Sequence, residues 1–309
     1  MASVTPQLIR ELRERTAAGM TDCKNALVEA EGDIDKAVEI ILKKGKAKSA
    51  KRATATATEG EIRANMATDG RAGTLVEINI QTDFAARNDK FKAFVDEVAQ
   101  LVGNVNNLDE LLASKMAAGK TVAEIRDDLI ATIGEKIDVR RMQRLTLDAP
   151  AGNVHSYVHM NGKIGVLLAT AAENDAVAKH EAYLKFVDDT AMQIAAMSPL
   201  YLDRNQVPAA DIEKQKEIFA EQLKQEGKPE VAWPKIIEGK VNKWYTELCV
   251  VDQDSVIENG KSVDQVRAEA AQQAGGSITL LGFVRFQLGE GLSRAEEDFA
   301  EEAKKMAGA

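Results

Sequence analysis

Apolar positions in the first fifty residues recur at helical spacing. Leu8, Ile9 and Leu12 form one stripe, preceded by Thr5 as an N-cap and Pro6 in the favoured first turn. Ala17-Ala18-Gly19 interrupts that helix. Cys23, Ala26, Leu27 and Ala30 make the inner face of a second, capped by Thr21 or Asp22 and stopped at Gly32. Asp33 caps a third, with Ile34, Ala37, Val38, Ile41 and Leu42 on one side and Gly45 expected to close it. Three short helices bury little surface, so the unit is marginal alone and suited to binding a partner. Ala53-Thr54-Ala55-Thr56-Ala57-Thr58 has no apolar face of either period, and 43–58 is read as a fraying helix end followed by a linker.

Beyond this linker the pattern repeats at a constant offset of 92 residues: Gly60 meets Gly152, Gly70 meets Gly162, Gly73 meets Gly165, and Leu75 meets Leu167. Phe94-Val95-Asp96 meets Phe186-Val187-Asp188, and Asp83 meets Asp175. Coincidences without a gap, several at glycines, indicate a duplicated unit. Each copy reads as two strands joined by a turn, Glu61–Thr68 with Thr74–Ile80 and Asn153–Met160 with Ile164–Ala169. Helices are expected at 84–103 and 108–134 in the first copy and 176–197 in the second.

A closing strand follows each copy. Ile137, Val139, Met142, Arg144 and Leu145 align with Ile278, Leu280, Phe283, Arg285 and Phe286 at an offset of 141, so the second copy carries 49 extra residues. Ile212, Phe219 and Leu223 after Pro208, and Ile237, Val241, Trp244 and Leu248 after Pro234, supply them as two narrow helical stripes of an antiparallel hairpin. Ser293 and Glu296 form a capping box for a terminal helix. The expected fold class is α+β: a three-helix module at 1–54, core subdomains at 55–147 and 148–281 with the hairpin at about 205–253, and a C-terminal module at 282–309.

Composition narrows the function classes. With 309 residues, 45% hydrophobic and 29% charged, the chain is globular. The longest uncharged apolar run, Ile164 to Ala172, is too short to span a bilayer, and Arg10, Glu11 and Arg13 interrupt a secretory core. Cys23 and Cys249 form no spacing motif, which suits a reducing cytoplasm. The net charge is −9, yet residues 1–52 carry +3, concentrated at Lys43, Lys44, Lys46, Lys48, Lys51 and Arg52. That run fits a solvated linker or contact with phosphates; no aromatic is interleaved for base stacking.

Enzyme chemistry is poorly represented. His155 and His159 sit on one predicted strand, about 13 Å apart, without a cysteine partner nearby. Gly119-Lys120-Thr121 and Gly260-Lys261-Ser262 resemble the end of a phosphate-binding loop, but Ser114 and Ser255 replace the leading glycine and no strand precedes either segment. No catalytic residue, cofactor or metal site is assigned. The segment that stands out is where the copies diverge: Thr74–Ile80 runs into Gln81-Thr82-Asp83-Phe84-Ala85-Ala86-Arg87, and the counterpart of Phe84 is Ala176. Two readings of the pattern are open: an exposed aromatic wedge, or a capped helix with Phe84 packed beneath it.

Thr16-Ala17-Ala18-Gly19-Met20-Thr21-Asp22-Cys23-Lys24-Asn25-Ala26-Leu27 and Glu77-Ile78-Asn79-Ile80-Gln81-Thr82-Asp83-Phe84 closely resemble the two signature segments of the bacterial elongation factor Ts family. Tyr157-Val158-His159 with Lys163-Ile164-Gly165-Val166-Leu167, and Gly282-Phe283-Val284-Arg285-Phe286, resemble further stretches. Thr21 stands where a second Met is common in that family, and Ala85 where Val is common. The resemblance covers essentially the whole chain and implies a non-enzymatic guanine nucleotide exchange factor acting on elongation factor Tu. It implies that the first module is similar to ubiquitin-associated domains and docks through Leu12 and Met20. The Thr82-Asp83-Phe84-Ala85 turn would disturb the partner's Mg²⁺ and phosphate site, and His159 and the terminal helix would touch the partner elsewhere. The competing expectation is an RNA- or ribosome-binding protein using 43–52 and the hairpin.

Overall fold

The computed structural model describes residues 4–49 and 55–292. Lys51, Arg52 and the terminal helix expected after Ser293 lie outside them. Helix α1 (Pro6–Thr16) opens as its sequence dictates, with Leu8 N–H donating 3.2 Å to the Thr5 hydroxyl oxygen, and ends where Ala17 turns left-handed at φ 61°. Helix α2 (Met20–Glu29) starts earlier than expected: Gly19 is the N-cap, and neither Thr21 nor Asp22 caps it. The reversal at Ala17 brings the Gly19 carbonyl into line to accept the Cys23 N–H at 2.9 Å, so the first turn closes without a side chain. Asp33 caps α3 (Ile34–Ser49) through the Lys36 N–H at 3.1 Å. Leu12, Cys23, Leu27 and Ala37 are fully buried where the three helices meet.

The first copy of the repeat runs β1 (Glu59–Met66), β2 (Ala72–Ile80), α4 (Asp83–Ala86), α5 (Asp89–Leu101), α6 (Leu108–Ala113), α7 (Val122–Ile133) and β3 (Ile137–Thr146). The two expected long helices are each broken. Asn88 caps α5 afresh by accepting the Lys90 N–H, and a loop with Gly119 at φ 79° separates α6 from α7. The second copy runs β4 (Gly152–His159), β5 (Ile164–Ala172), α8 (Asp175–Ala178), α9 (Glu181–Met197), α10 (Ala209–Gln225), α11 (Trp233–Leu248), α12 (Val263–Ala274) and β6 (Ile278–Gln287). Two three-stranded antiparallel sheets result, ordered β1-β2-β3 and β4-β5-β6, which with twelve helices among the described residues is a mixed architecture consistent with α+β.

Duplication is visible atom by atom. The bulge between Glu77 and Ile78 in β2 recurs between Ala169 and Thr170 in β5. Helix α12, which the pattern did not announce, stands 141 residues after α7, and both begin with a capping box, Thr121 with Glu124 and Ser262 with Gln265. The two Gly-Lys-Thr/Ser segments are therefore helix starts, their lysines paired with Asp128 and Glu269 at 2.6 Å. Packing between the sheets explains the repeated glycines. A Cβ on Gly73 would stand 2.9 Å from Leu167, and one on Gly165 would stand 3.2 Å from Leu75. Each copy's leucine fills the gap left by the other's glycine. Reciprocal backbone bonds of 2.8 Å, Ile62 N–H to Gly162 and Val154 N–H to Gly70, knit the same seam.

The outer face of the first sheet packs under α5 and α7, and that of the second under α9 and α12, giving four layers with helices outside. Helix α3 does not stop at Gly45 but crosses α7 there. A Cβ at Gly45 would lie 2.0 Å from the Ala131 carbonyl oxygen, so the glycine permits close approach of two backbones rather than ending a helix. Residues 43–49 are accordingly helix, not fraying chain. Lys43 pairs with Glu39 and Lys44 with Glu29, so these two cations of the basic run have acidic partners on the protein itself. No helix among the described residues is long and apolar enough to cross a membrane.

Candidate functional site

Strand β2 is buried along its whole length, and its end is fixed by Ile78 and Ile80, both fully buried. The chain then enters α4, a single turn that has no stability of its own and must be held by its surroundings. Thr82 is its N-cap, accepting the Ala85 N–H at 3.2 Å. Ala85 is the inward residue, buried against the core formed by β2, α5 and α7. Phe84 lies about 100° around the helix from it, and the residue is 80% exposed. Of the two readings the pattern left open, packing beneath the helix is not what the chain does.

The turn is braced from the loop that follows α7. Glu135 accepts the Thr82 N–H at 3.0 Å and the Thr82 hydroxyl at 2.8 Å, and the Lys136 N–H donates to the Gln81 side-chain oxygen at 2.7 Å. Asp83 makes an exposed ion pair with Arg87 at 3.0 Å, a contact worth little in water. Thr82, Asp83 and Phe84 therefore form a polar collar with one bare aromatic at its centre. This is a projection, not a cleft. Sequence reasoning found it through Phe84 but missed Glu135, an acid in a loop with no periodicity to mark it.

The remaining candidates are distributed around the molecule. Met20, at the start of α2, is 61% exposed. Leu12 is fully buried inside the three-helix core, so in this structure it packs its own module and offers no surface to a partner. Helix α1 reaches the site's neighbourhood where Lys90, in the first turn of α5, donates to the Arg15 carbonyl; burial lowers the pKa of that amine. His159 ends β4, exposed and stacked on Tyr157, whose hydroxyl lies 2.9 Å from its Nδ1. Val158 and Met160 on either side are also exposed, making a small apolar patch at the strand end. His155 is turned away to Asp188 at 3.0 Å, so the two imidazoles do not converge.

Behind the site sits a buried acid. Glu77 in β2 is fully buried, and its carboxylate accepts from Arg141 at 2.6 Å, Gly289 N–H at 2.8 Å, Arg140 at 2.9 Å and Asn79 at 3.1 Å. Burial pushes its pKa up, but these donors together outweigh burial and hold it below the ordinary glutamate value. The cluster ties residues 287–290 to the strand that carries the Phe84 turn. Among the described residues no group of three or more His, Cys, Asp or Glu side chains is disposed to hold a metal ion.

Comparison with known proteins places the chain in a family. The family described as Elongation factor TS matches residues 81–290, from the candidate turn to the segment held by Glu77. Elongation factor Ts from a Clostridium perfringens strain of Type A is 43% identical over 307 residues, 99% of each chain. That from a Nitratiruptor species is 46% identical over 303 residues, 97% of this chain and 98% of the relative. That from Trichlorobacter lovleyi is 44% identical over 310 residues, 99% of each. With likeness of that extent, this chain belongs to the elongation factor Ts family and is a translation elongation factor.

Proposed function

We propose that the chain binds the GDP complex of elongation factor Tu in the cytoplasm and promotes release of GDP, leaving the partner free to take up GTP. The observation that carries this reading is the 80% exposed Phe84 on a turn that Thr82 caps and Glu135 braces. Nucleotide affinity in such GTPases rests on phosphate oxygens held by backbone N–H groups, a lysine and Mg²⁺. A rigid aromatic pressed between the elements that bear those groups loosens all of them at once, with no bond made or broken in this protein. Asp83 places negative charge beside the ring, where it competes for the cation or repels phosphate. Met20 on the first module and the His159 patch supply contacts away from the nucleotide. The division into a 1–54 module, core subdomains at 55–147 and 148–281, and a C-terminal module at 282–309 belongs to the same proposal. Whatever factor weakens GDP in the complex weakens this protein's own binding equally, by reciprocity, so rebinding nucleotide releases the factor.

Release of a fluorescent GDP analogue from elongation factor Tu tests the reading. The expected result is acceleration by the protein at stoichiometric concentration; its absence overturns the proposal. Phe84→Ala should lose most of the acceleration while retaining most of the affinity. Because the ring is exposed, the variant's unfolding free energy should stay within about 0.5 kcal/mol of the parent. Binding that collapses steeply with log salt in place of exchange would mark an RNA-binding protein instead.

A further inference from the structure

Position-by-position comparison of the two copies singles out Glu135. A hydroxyl has one proton, and Thr82 gives it to Glu135 at 2.8 Å, which leaves oxygen lone pairs for the Ala85 N–H at 3.2 Å. The same carboxylate takes the Thr82 backbone N–H at 3.0 Å. One acid thus fixes the cap's backbone, its side chain and the direction of its hydrogen bond, through charge-assisted bonds that exceed neutral ones in strength.

The second copy has no such clamp. Following the offsets, Glu135 becomes Gly276, Thr82 becomes Asn174, Phe84 becomes Ala176 and Ala85 becomes Val177. Asn174 caps α8 unaided, its side-chain oxygen accepting the N–H groups of Ala176 at 2.9 Å and Val177 at 3.1 Å. Val177 is buried and crowds the glycine: a Cβ on Gly276 would stand 2.6 Å from its Cγ2. The neighbouring strap persists in both copies, Lys136 N–H to Gln81 at 2.7 Å and Ser277 N–H to Glu173 at 2.9 Å. The fold therefore needs the strap and does without the acid. Acid and exposed aromatic occur together in one copy and are both missing from the other.

We infer that Glu135 is a positioning residue for Phe84, holding the 82–85 turn stiff so that the ring transmits force to a partner instead of yielding. This rests on the exchange reading above. The test measures maximal rates of release of the fluorescent GDP analogue, and separately affinity for the nucleotide-free partner. Glu135→Ala and Glu135→Gln are made in the full chain and again together with Phe84→Ala. Glu135→Ala should lower the maximal rate about tenfold, the equivalent of one charge-assisted hydrogen bond, with affinity changed by less than about twofold. Glu135→Gln, which keeps one acceptor oxygen and folds without a buried hole, should recover part of the rate. Beside Phe84→Ala both substitutions should have no further effect. Full exchange by Glu135→Ala, equal losses of rate and affinity, or the same loss in the Phe84→Ala background would overturn the inference. If the unaltered protein fails to speed release, the exchange reading falls and takes this inference with it. If the unaltered protein is active and the Glu135 variants match it, only the inference falls.

Discussion

Substituting alanine at Gly45 and at Gly239 makes the same chemical change in two helix interiors, and the structure demands opposite outcomes. In both α3 and α11 the new methyl group removes the backbone entropy penalty of glycine, a gain of about 0.5–1 kcal/mol. Around Gly239 a Cβ meets no atom within 4 Å, so the gain stands alone. At Gly45 the Cβ would lie 2.0 Å from the Ala131 carbonyl oxygen and 2.6 Å from its carbonyl carbon and Cα. These are backbone atoms of α7 and cannot swing aside. Restoring an ordinary contact of 3.4 Å requires the helices to part by about 1.4 Å at that point, a gap at which most of the dispersion attraction along the crossing is lost. Overpacking of this kind costs about 1–3 kcal/mol. The cleft of about 270 Å³ beside the crossing, lined by Ala26, Ile41 and Ile133 among others, widens and admits water.

Gly239→Ala should therefore raise stability by about 0.5–1 kcal/mol and Gly45→Ala lower it by about 1–2 kcal/mol. Urea denaturation reads the difference directly. In thermal melts the two variants should separate by about 5 °C for a chain of this size. Amide exchange should show faster opening of α7 and the end of α3 in Gly45→Ala only. If Gly45→Ala stabilises as much as Gly239→Ala, the close crossing of α3 on α7 is not the structure in solution and the packing of the first module on the core is refuted.

Two further outcomes follow from buried polar groups. Glu77→Ala should cost about 3 kcal/mol, because it leaves Arg140 and Arg141 facing each other without their shared acid. Since the pKa of Glu77 is lowered on folding, its contribution is complete above the ordinary value of 4.5 and fades as pH falls through the lower folded value; the parent's loss of stability in that acid range should be shallower in Glu77→Gln, and an unchanged profile would refute the assignment. Tyr183 is fully buried with its hydroxyl within 3.0 Å of Thr170 O and Asn153 Oδ1, and burial raises its pKa to about 12. Tyr183→Phe should lose about 1–2 kcal/mol in denaturant melts, and absorbance titration should assign it the highest-pH tyrosinate step.

Much of this architecture was legible because duplication leaves marks that composition does not erase. Gly73 and Gly165 stand out in the sequence as matched letters, and the structure supplies their role, each giving room to the other copy's leucine. What failed to show has physical causes. Helix α12, with a sequence rich in Ala and Gln, buries only Val263 and Ala270, too faint a stripe to detect, whereas its sibling α7 has three buried positions. Gly45 looked like a stop because local propensity treats glycine as a breaker; only the approach of α7 explains its place. Leu12 belongs to the apolar stripe of α1, and in the structure it is fully buried in the module's own core. Phe84 stands out by divergence between the copies, and so does Glu135 in the loop before β3, where the second copy has Gly276.

The differences between the copies fall where the shared fold is indifferent to them. Every feature that both sheets need is repeated: the paired glycines, the bulge, the reciprocal bonds across the seam and the boxed start of the outer helix. Apart from the hairpin inserted in the second copy, the unrepeated features cluster at β2 and the turn it runs into. Glu77 in β2 corresponds to Ala169 in β5, and the turn with Thr82, Phe84 and its acid Glu135 corresponds to one with Asn174, Ala176 and Gly276. Glu77 bonds Gly289 N–H and two arginines, so the segment after β6 is anchored to the strand that ends three residues later at Ile80. A load applied to Phe84 thus passes into a strand fixed along its length by pairing with β1 and β3 and behind by β6's extension. An exposed single-turn helix on a free loop would give way under the same load. Duplication supplies the paired frame, and the copy with a buried acid in its strand is the one that carries the projecting aromatic.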